Sequence, residues 1–213
     1  MLLIEKDRKM LYKKLQDFVN RLQPEEVSSE RKEKLQPLIT YISHKREKQK
    51  PANLNFICTH NSRRSHLAQI WAQTMAYHFG IDVNAYSAGT EATAVFPMVL
   101  KVLEQAGFAI QTVCHSENPV HIVKYSENEP PVIAFSKEIT HLYNPQTKFA
   151  AIMTCSQADE DCPFVPGAEK RISLPYEDPK NFDNTPVQEE KYMERSKEIA
   201  TEMLYVFSKI SKQ

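Results

Sequence analysis

A chain of 213 residues with 25% charged and 41% hydrophobic side chains is long enough for one globular domain and an appendage. Its 27 basic and 27 acidic residues cancel, which argues against a general nucleic-acid binder, and no apolar run reaches the length of a membrane span. Four cysteines are too few for a secreted disulfide scaffold, and residues 1–14 lack the apolar core of a signal peptide, so the chain reads as cytoplasmic with reactive thiols.

Residues 1–50 read as helical. Met10, Leu11, Leu15, Phe18, Val19 and Leu22 recur at spacings of three and four, and Pro24 ends that segment. Ser28 or Ser29 can cap a second helix with Leu35, Leu38, Ile39 and Ile42 on one side, and Pro37 predicts a kink or a fresh start within it. The pair is expected to form a helical hairpin, an N-terminal extension (1–50) ahead of an α/β domain (53–213). The Lys/Arg-rich run 44–50 has no apolar face and reads as a solvated linker.

Residues 53–58 are predicted as the first core strand and 65–79 as a helix burying Leu67, Ile70, Trp71, Thr74 and Met75, with Gly80 just past its end. A second strand over 83–86 runs into Ser87-Ala88-Gly89-Thr90. A second helix over 96–106 has Pro97 in its first turn and Gly107 at its close. This alternation predicts an open parallel sheet with right-handed crossovers and helices on both faces. Stretches 120–125 and 131–135 read as an inserted hairpin. An apolar strand over 149–154 ends in Cys155, and a short strand over 171–174 precedes Pro175-Tyr176-Glu177-Asp178-Pro179. Thr185-Pro186-Val187-Gln188 has the form of a cap, a first-turn proline and a capping-box glutamine, opening a last helix that buries Ile199, Met203, Val206, Phe207 and Ile210.

The chemistry concentrates in Cys58-Thr59-His60-Asn61-Ser62-Arg63-Arg64-Ser65, between the first strand and the helix after it. Backbone N–H groups of such a loop, with a helix N-terminus behind them, cradle a tetrahedral oxyanion. The same field favours a thiolate, so Cys58 is expected to act as a nucleophile at neutral pH. Arg64 can offer a two-pronged contact to the anion, and the Ser65 hydroxyl can donate to the sulfur. Cys155 ends another core strand, and parallel strands share one ligand-binding edge, so the two thiols can meet over one pocket. Cys162 follows across a polar, acidic segment expected to be exposed and able to move. The layout suits a thiol relay, against the alternative of one buried thiol and one incidental surface thiol. Cys-x6-Cys with no matching His or Cys pair does not suit zinc, and no metal site is expected. Asp178 can protonate a departing oxygen, with Glu177 as its competitor and an Asp-Pro turn as the plainer alternative.

Taken in order, Cys-Thr-x-Asn-Ser-x-Arg-Ser, Tyr-Ser-Ala-Gly-Thr, Thr-Cys-x6-Cys-Pro-x-x-Pro and Glu-Asp-Pro resemble the thioredoxin-coupled arsenate reductases, the redox branch of the low-molecular-weight protein tyrosine phosphatase superfamily. The resemblance covers residues 53–210. It implies that Cys58 attacks arsenate while Arg64 and the loop amides hold the oxyanion and Asp178 protonates the leaving oxygen. Cys155 would then attack Cys58 and release arsenite. Cys162 would attack Cys155, leaving a disulfide for thioredoxin or a similar dithiol, with no bound cofactor. Asn61 and Ser87 carry over as loop-shaping residues, and Thr59, His60, Ser62, Arg63 and Ser65 complete the loop.

The chain also departs from that pattern. His60 replaces a glycine, and Arg63 replaces a cysteine and adds charge beside the anion. Gln69 stands where a glutamate helps a potassium site, and Lys180-Asn181-Phe182 replaces the paired tyrosines of the phosphatase branch. Cys114 is expected to be a packed thiol and His66 to face solvent. Three readings follow: an arsenate reductase with a three-cysteine relay; a low-molecular-weight protein tyrosine phosphatase working through a phosphocysteine; and a binding module whose helical hairpin recruits a partner. The partners implied are a small oxyanion or phosphotyrosine substrate and thioredoxin, with no nucleic acid or membrane; a homodimer through residues 1–50 is left open.

Overall fold

The computed structural model describes residues 10–161 and 164–211. In chain order its elements are α1 (Lys13–Val19), α2 (Ser29–Glu47), β1 (Ala52–Cys58), α3 (Arg64–Phe79), β2 (Val83–Gly89), α4 (Pro97–Ala106), β3 (Ala109–Cys114), β4 (Val120–Lys124), β5 (Val132–Ala134), β6 (Phe149–Met153), α5 (Ser156–Asp161), β7 (Ala168–Ser173) and α6 (Gln188–Ser211). Short 3-10 turns cover Pro24–Glu26 and Pro179–Phe182.

Four parallel strands form the main sheet in the order β2-β1-β6-β7. The central strands β1 and β6 are apolar runs, as strands covered on both faces must be. Alternation along them sorts the core in two. Leu54, Phe56, Ala150 and Ile152 point into a large cluster with α2, α3 and α6. Ile57, Phe149, Ala151 and Met153 point the other way, where α5 and the loop residues Ile139 and Val165 cover them. Trp71 of α3 sits at the centre of the larger cluster. It stacks on Phe18 at 5.4 Å, meets Phe108 edge-on at 5.0 Å and donates to Ser196 Oγ at 3.0 Å, tying α1 and α6 to α3. Gly80 (φ 67°) and Gly107 (φ 113°) close α3 and α4 in the left-handed region, which only glycine enters freely. The exposed edge of β2 is capped by α3. Gln73 donates to Val83 O and accepts from Ala85 N, and Gln69 donates to Ala85 O, so side chains stand in for a missing neighbour strand.

Several expectations need correction. The two N-terminal helices are present, but their main contacts go to the body rather than to each other: α1 lies on α4, and α2 lies on α6, β1 and β7. Ser28 Oγ caps α2 by accepting from Arg31 N at 3.2 Å. Pro37 neither ends nor restarts α2; burial of Leu35, Leu38, Ile39 and Ile42 outweighs the one backbone bond it removes. The basic run is not a free linker: α2 continues to Glu47, Lys45 pairs with Glu169 at 2.5 Å and Arg46 donates to Ile210 O. The inserted hairpin is the β4–β5 pair of a three-stranded antiparallel sheet whose first strand, β3, was not foreseen. None of β3's residues is fully buried, and the half-buried pair Ile110 and Thr112 is too short an alternation to read as a strand. The segment after Cys155 coils into α5 and buries Ala158. The last helix starts at Gln188 without a capping box, because the Thr185 hydroxyl donates to Phe182 O and the Gln188 amide to Asp183 Oδ1.

Candidate active site

β1 delivers Cys58 to the C-terminal edge of the sheet, and α3 begins at Arg64, so residues 59–63 make the turn between them. The first amides of α3 have no partner inside the helix and leave a positive end at the loop. Asn61 sits at the tightest point with φ 44°, a left-handed conformation that asparagine tolerates better than most residues. Its side chain is held at both ends. Nδ2 donates to Ser65 Oγ at 2.9 Å, and Oδ1 accepts from Lys137 N at 2.9 Å. The Ser65 hydroxyl, receiving that bond, has its own proton free for Cys58 Sγ, 3.1 Å away.

Behind the loop runs a polar chain. His66 is fully buried rather than solvent-facing: Nε2 donates to Asn61 O at 2.9 Å and Nδ1 accepts from the Ser87 hydroxyl at 3.2 Å. Burial, then the nearby Lys137 charge, hold this imidazole well below its ordinary pKa, so it stays neutral in the one tautomer that fits. Ser87 Oγ also accepts from Lys137 Nζ at 3.3 Å. Gly89 lets the next segment press on the loop. A Cβ there would lie 2.7 Å from Asn61 N and Thr59 O, while Thr90 N and Glu91 N donate to the carbonyls of Cys58 and Thr59.

Cys58, His60, Ser62, Arg63, Arg64 and Asp178 surround a small cavity over the sulfur. Arg64 and Asp178 close one side: Nη2 meets Asp178 Oδ2 at 2.5 Å, and Nη1 donates to Tyr176 O at 3.0 Å. Asp178 Oδ1 accepts from Lys180 N at 3.0 Å, which fixes the carboxylate's direction. Glu177, 90% exposed in its side chain and 3.5 Å from Arg195, points away, so Asp178 is the carboxylate at the cavity. His60 lies half-exposed at the rim, 3.6 Å from the Glu91 carboxylate. Arg63 does not add free charge: its guanidinium pairs with Asp183 at 2.7 Å, donates to Tyr192 Oη at 2.6 Å and lies 4.0 Å from the Phe96 ring centroid.

The parallel register of β1 and β6 sets Ile57 beside Met153, and Thr154 N donates to Ile57 O at 2.7 Å. Cys155 therefore emerges beside the loop. It is buried, with Thr59 Oγ1 at 3.5 Å from its sulfur and Ala158 N donating to it at 3.3 Å. Cys162 lies outside the described residues. Cys114 ends β3 as an exposed free thiol, not a packed one. Among the described residues, no group of three or more His, Cys, Asp or Glu side chains is arranged to hold a metal ion, and no helix is long and apolar enough to cross a membrane. Lys137, His66 and Tyr176 were not singled out by sequence as parts of this site. Each acts through a contact across the fold, and no local spacing announces it.

A strand–loop–helix turn that sets a cysteine under an arginine at the edge of a parallel sheet, with a carboxylate opposite, is the architecture of cysteine-dependent oxyanion enzymes. The family model described as low molecular weight phosphotyrosine protein phosphatase matches residues 53–158. An arsenate reductase of Bacillus licheniformis is 32% identical over 137 residues, 64% of this chain and 79% of the relative. One of Staphylococcus xylosus is 29% identical over 124 residues, 58% of this chain and 76% of the relative. The crystal structure of a low molecular weight phosphotyrosine phosphatase from Vibrio cholerae shares the fold with a TM-score of 0.52 at 14% identity, covering 74% of this chain and 95% of that one. The chain belongs to the low molecular weight phosphotyrosine protein phosphatase family, and within it is similar to arsenate reductases.

Proposed function

We propose that the protein reduces arsenate by thiol chemistry, with Cys58 as nucleophile and Cys155 as the resolving thiol. The observation that carries this reading is a second buried sulfur beside the first loop: Cys155 follows β6, the strand paired with β1, and Thr59 of the loop contacts it at 3.5 Å. The arsenate reductases among the relatives support the same reading.

In this mechanism the Cys58 thiolate attacks arsenic, and Asp178 protonates the oxygen that leaves as water. Arg64 and the amides at the start of α3 hold the remaining oxygens. The Cys155 thiolate then attacks the Cys58 sulfur. The S–As bond breaks with its electron pair staying on arsenic, arsenite departs, and a Cys58–Cys155 disulfide remains. Cys162 attacks Cys155, frees Cys58 and presents the resulting disulfide to a dithiol reductant of the thioredoxin kind, which suits a cytoplasmic setting. The Cys155 sulfur must move for the second step, and the short α5 that follows it is the element to yield.

A phosphatase reading is favoured by a different observation. A cavity of about 550 Å³, lined by Arg64, Cys155, Asp178, Phe182 and Glu198 among others, extends from the ion pair toward α6 and is larger than arsenate requires. One purified sample distinguishes the two: arsenate with NADPH, thioredoxin and thioredoxin reductase, against an aryl phosphate without reductant. Cys155→Ser is expected to abolish arsenate turnover. Arsenate reduction that survives this substitution would reject the relay, and hydrolysis of the aryl phosphate alone would establish the phosphatase.

A further inference from the structure

Arg31 lies in α2, ahead of the region that matches the family. Its guanidinium crosses to the segment that ends in Asp178. Nε and Nη2 donate to Glu202 Oε1 and Oε2 at 2.5 and 3.1 Å, and Nη1 donates to Pro175 O at 3.0 Å. The guanidinium carbon lies 4.5 Å from the centroid of the Tyr176 ring, and the Tyr176 hydroxyl donates to Glu202 Oε2 at 2.7 Å. The Arg31 and Glu202 side chains are only 16% and 4% exposed. Burial, then the Glu202 charge, hold the Tyr176 phenol well above its ordinary pKa, so it remains a donor.

The far side of the same segment carries the chemistry. Tyr176 O accepts from Arg64 Nη1, and two residues on Asp178 accepts from Arg64 Nη2. Residues 174–178 have no regular secondary structure, and Leu174 N and Tyr176 N are tied to the carbonyls of Met153 and Thr154. The stretch is thus fastened to the end of β6 on one side and to α2 and α6 through Arg31 and Glu202 on the other.

We infer that Arg31 is a positioning residue for the reaction: the N-terminal segment completes the active site by holding, through Glu202, Pro175 and Tyr176, the irregular stretch that presents Asp178 and orients Arg64. The inference rests on the reading of Cys58, Arg64 and Asp178 as the reacting groups. A proton donor must sit within hydrogen-bond reach of the leaving oxygen, and a displacement of about 1 Å costs on the order of 100-fold in rate.

The test uses full-length Arg31→Met, Arg31→Lys and Glu202→Gln. Methionine keeps the apolar stem and removes every donor; lysine keeps the charge without the planar fork. Amide hydrogen exchange over residues 174–180 is expected to rise in Arg31→Met. Its kcat/KM is expected to fall about 10- to 100-fold with phenyl phosphate or arsenate. With dinitrophenyl phosphate, whose leaving group needs no proton, the loss should be several-fold smaller. Arg31→Lys is expected to recover less than half of the loss on a logarithmic scale. Unchanged exchange over 174–180, or equal losses on both esters, would overturn the inference. If the wild type turns over neither arsenate nor an aryl phosphate, the proposed function fails. Exchange and the affinity for inorganic phosphate then decide for Arg31, with equal values in wild type and variant overturning it. Should Arg31→Met fail to fold, Glu202→Gln is read in the same way.

Discussion

Replacing Lys137 by methionine removes a buried amine while keeping most of its volume. Lys137 is 1% exposed, and its ammonium donates to the neutral acceptors Ser87 Oγ and Phe135 O, each at 3.3 Å, and lies 4.6 Å from the Phe135 ring centroid. Burial lowers its pKa from 10.5 to about 7. The unfolded chain keeps the proton up to the ordinary lysine value, whereas the folded chain releases it near neutrality. Between these limits the unfolded state binds more protons, so stability rises with pH; below the lower limit both states are protonated and the cost of burying the charge is at its full size. From pH 7 to pH 9 this single group should return about 2 kcal/mol of stability. Lys137→Met lacks that term; it also removes a charge that disfavours the proton on His66, but burial, the larger cause, is left in place and keeps that imidazole below its ordinary pKa in both proteins. Urea unfolding of the two proteins at several pH values from 6 to 9.5 reads the difference directly. With an m-value of about 2 kcal/mol/M, the gap between their midpoints should change by roughly 1 M from pH 7 to pH 9, in favour of the wild type at higher pH. Parallel midpoints over that range would refute the reasoning and mean that the amine finds enough water or polar contact to keep its ordinary proton.

The remaining predictions concern the loop. Asn61→Ala forces a residue with no hydrogen-bonding side chain into φ 44° and removes the bonds to Ser65 and Lys137 N, so it should cost about 2–3 kcal/mol in urea unfolding; Asn61→Gly should recover only the backbone share, about 1 kcal/mol. A glycine variant as stable as wild type would show that the side-chain bonds carry nothing. Gly89→Ala places a Cβ 2.3 Å from Glu91 O and 2.7 Å from Asn61 N, so it should destabilise by about 1–3 kcal/mol and abolish calorimetric phosphate binding; full binding would mean the loop can yield at no cost. Arg63→Ala strands Asp183 and Tyr192 in a site where the paired side chains are 12% and 16% exposed, with an expected loss of about 3 kcal/mol. Because its guanidinium faces Asp183 rather than the cavity, oxyanion affinity measured well below the unfolding transition should change less than 3-fold, about 0.6 kcal/mol.

Much of residues 53–106 was legible in the sequence because its signals are local. Gly80 and Gly107 terminate helices that the spacing of Leu67, Trp71 and Met75 in the first, and Pro97 in the first turn of the second, already outline. Cys58 and Arg64 could be read as partners because a single tight turn joins them. The stretch 107–148 was harder. β3 has no fully buried residue, only the half-buried Ile110 and Thr112, and Lys137, which supports the loop from behind, looks like any surface lysine in a polar segment. His66 runs against its sequence context: the first turn of a helix is usually wet, but here the ring is buried between Asn61 O of the loop and Ser87 near the end of β2.

What the chain determines by itself is the set of contacts between residues close in sequence: the period of each helix, the apolar runs that must become buried strands, and the short turn that joins a strand-end cysteine to an arginine at the start of a helix. The fold alone decided which distant groups meet. It set Cys155 beside the Cys58 loop through the register of two parallel strands, turned Asp178 and not Glu177 toward Arg64, and brought Arg31 from an N-terminal helix to the base of the same segment. The physical reason is that burial is shared: the partner of a buried charge or thiol is whatever the packed core leaves nearest to it, and nothing in the residue's own neighbourhood along the chain specifies that.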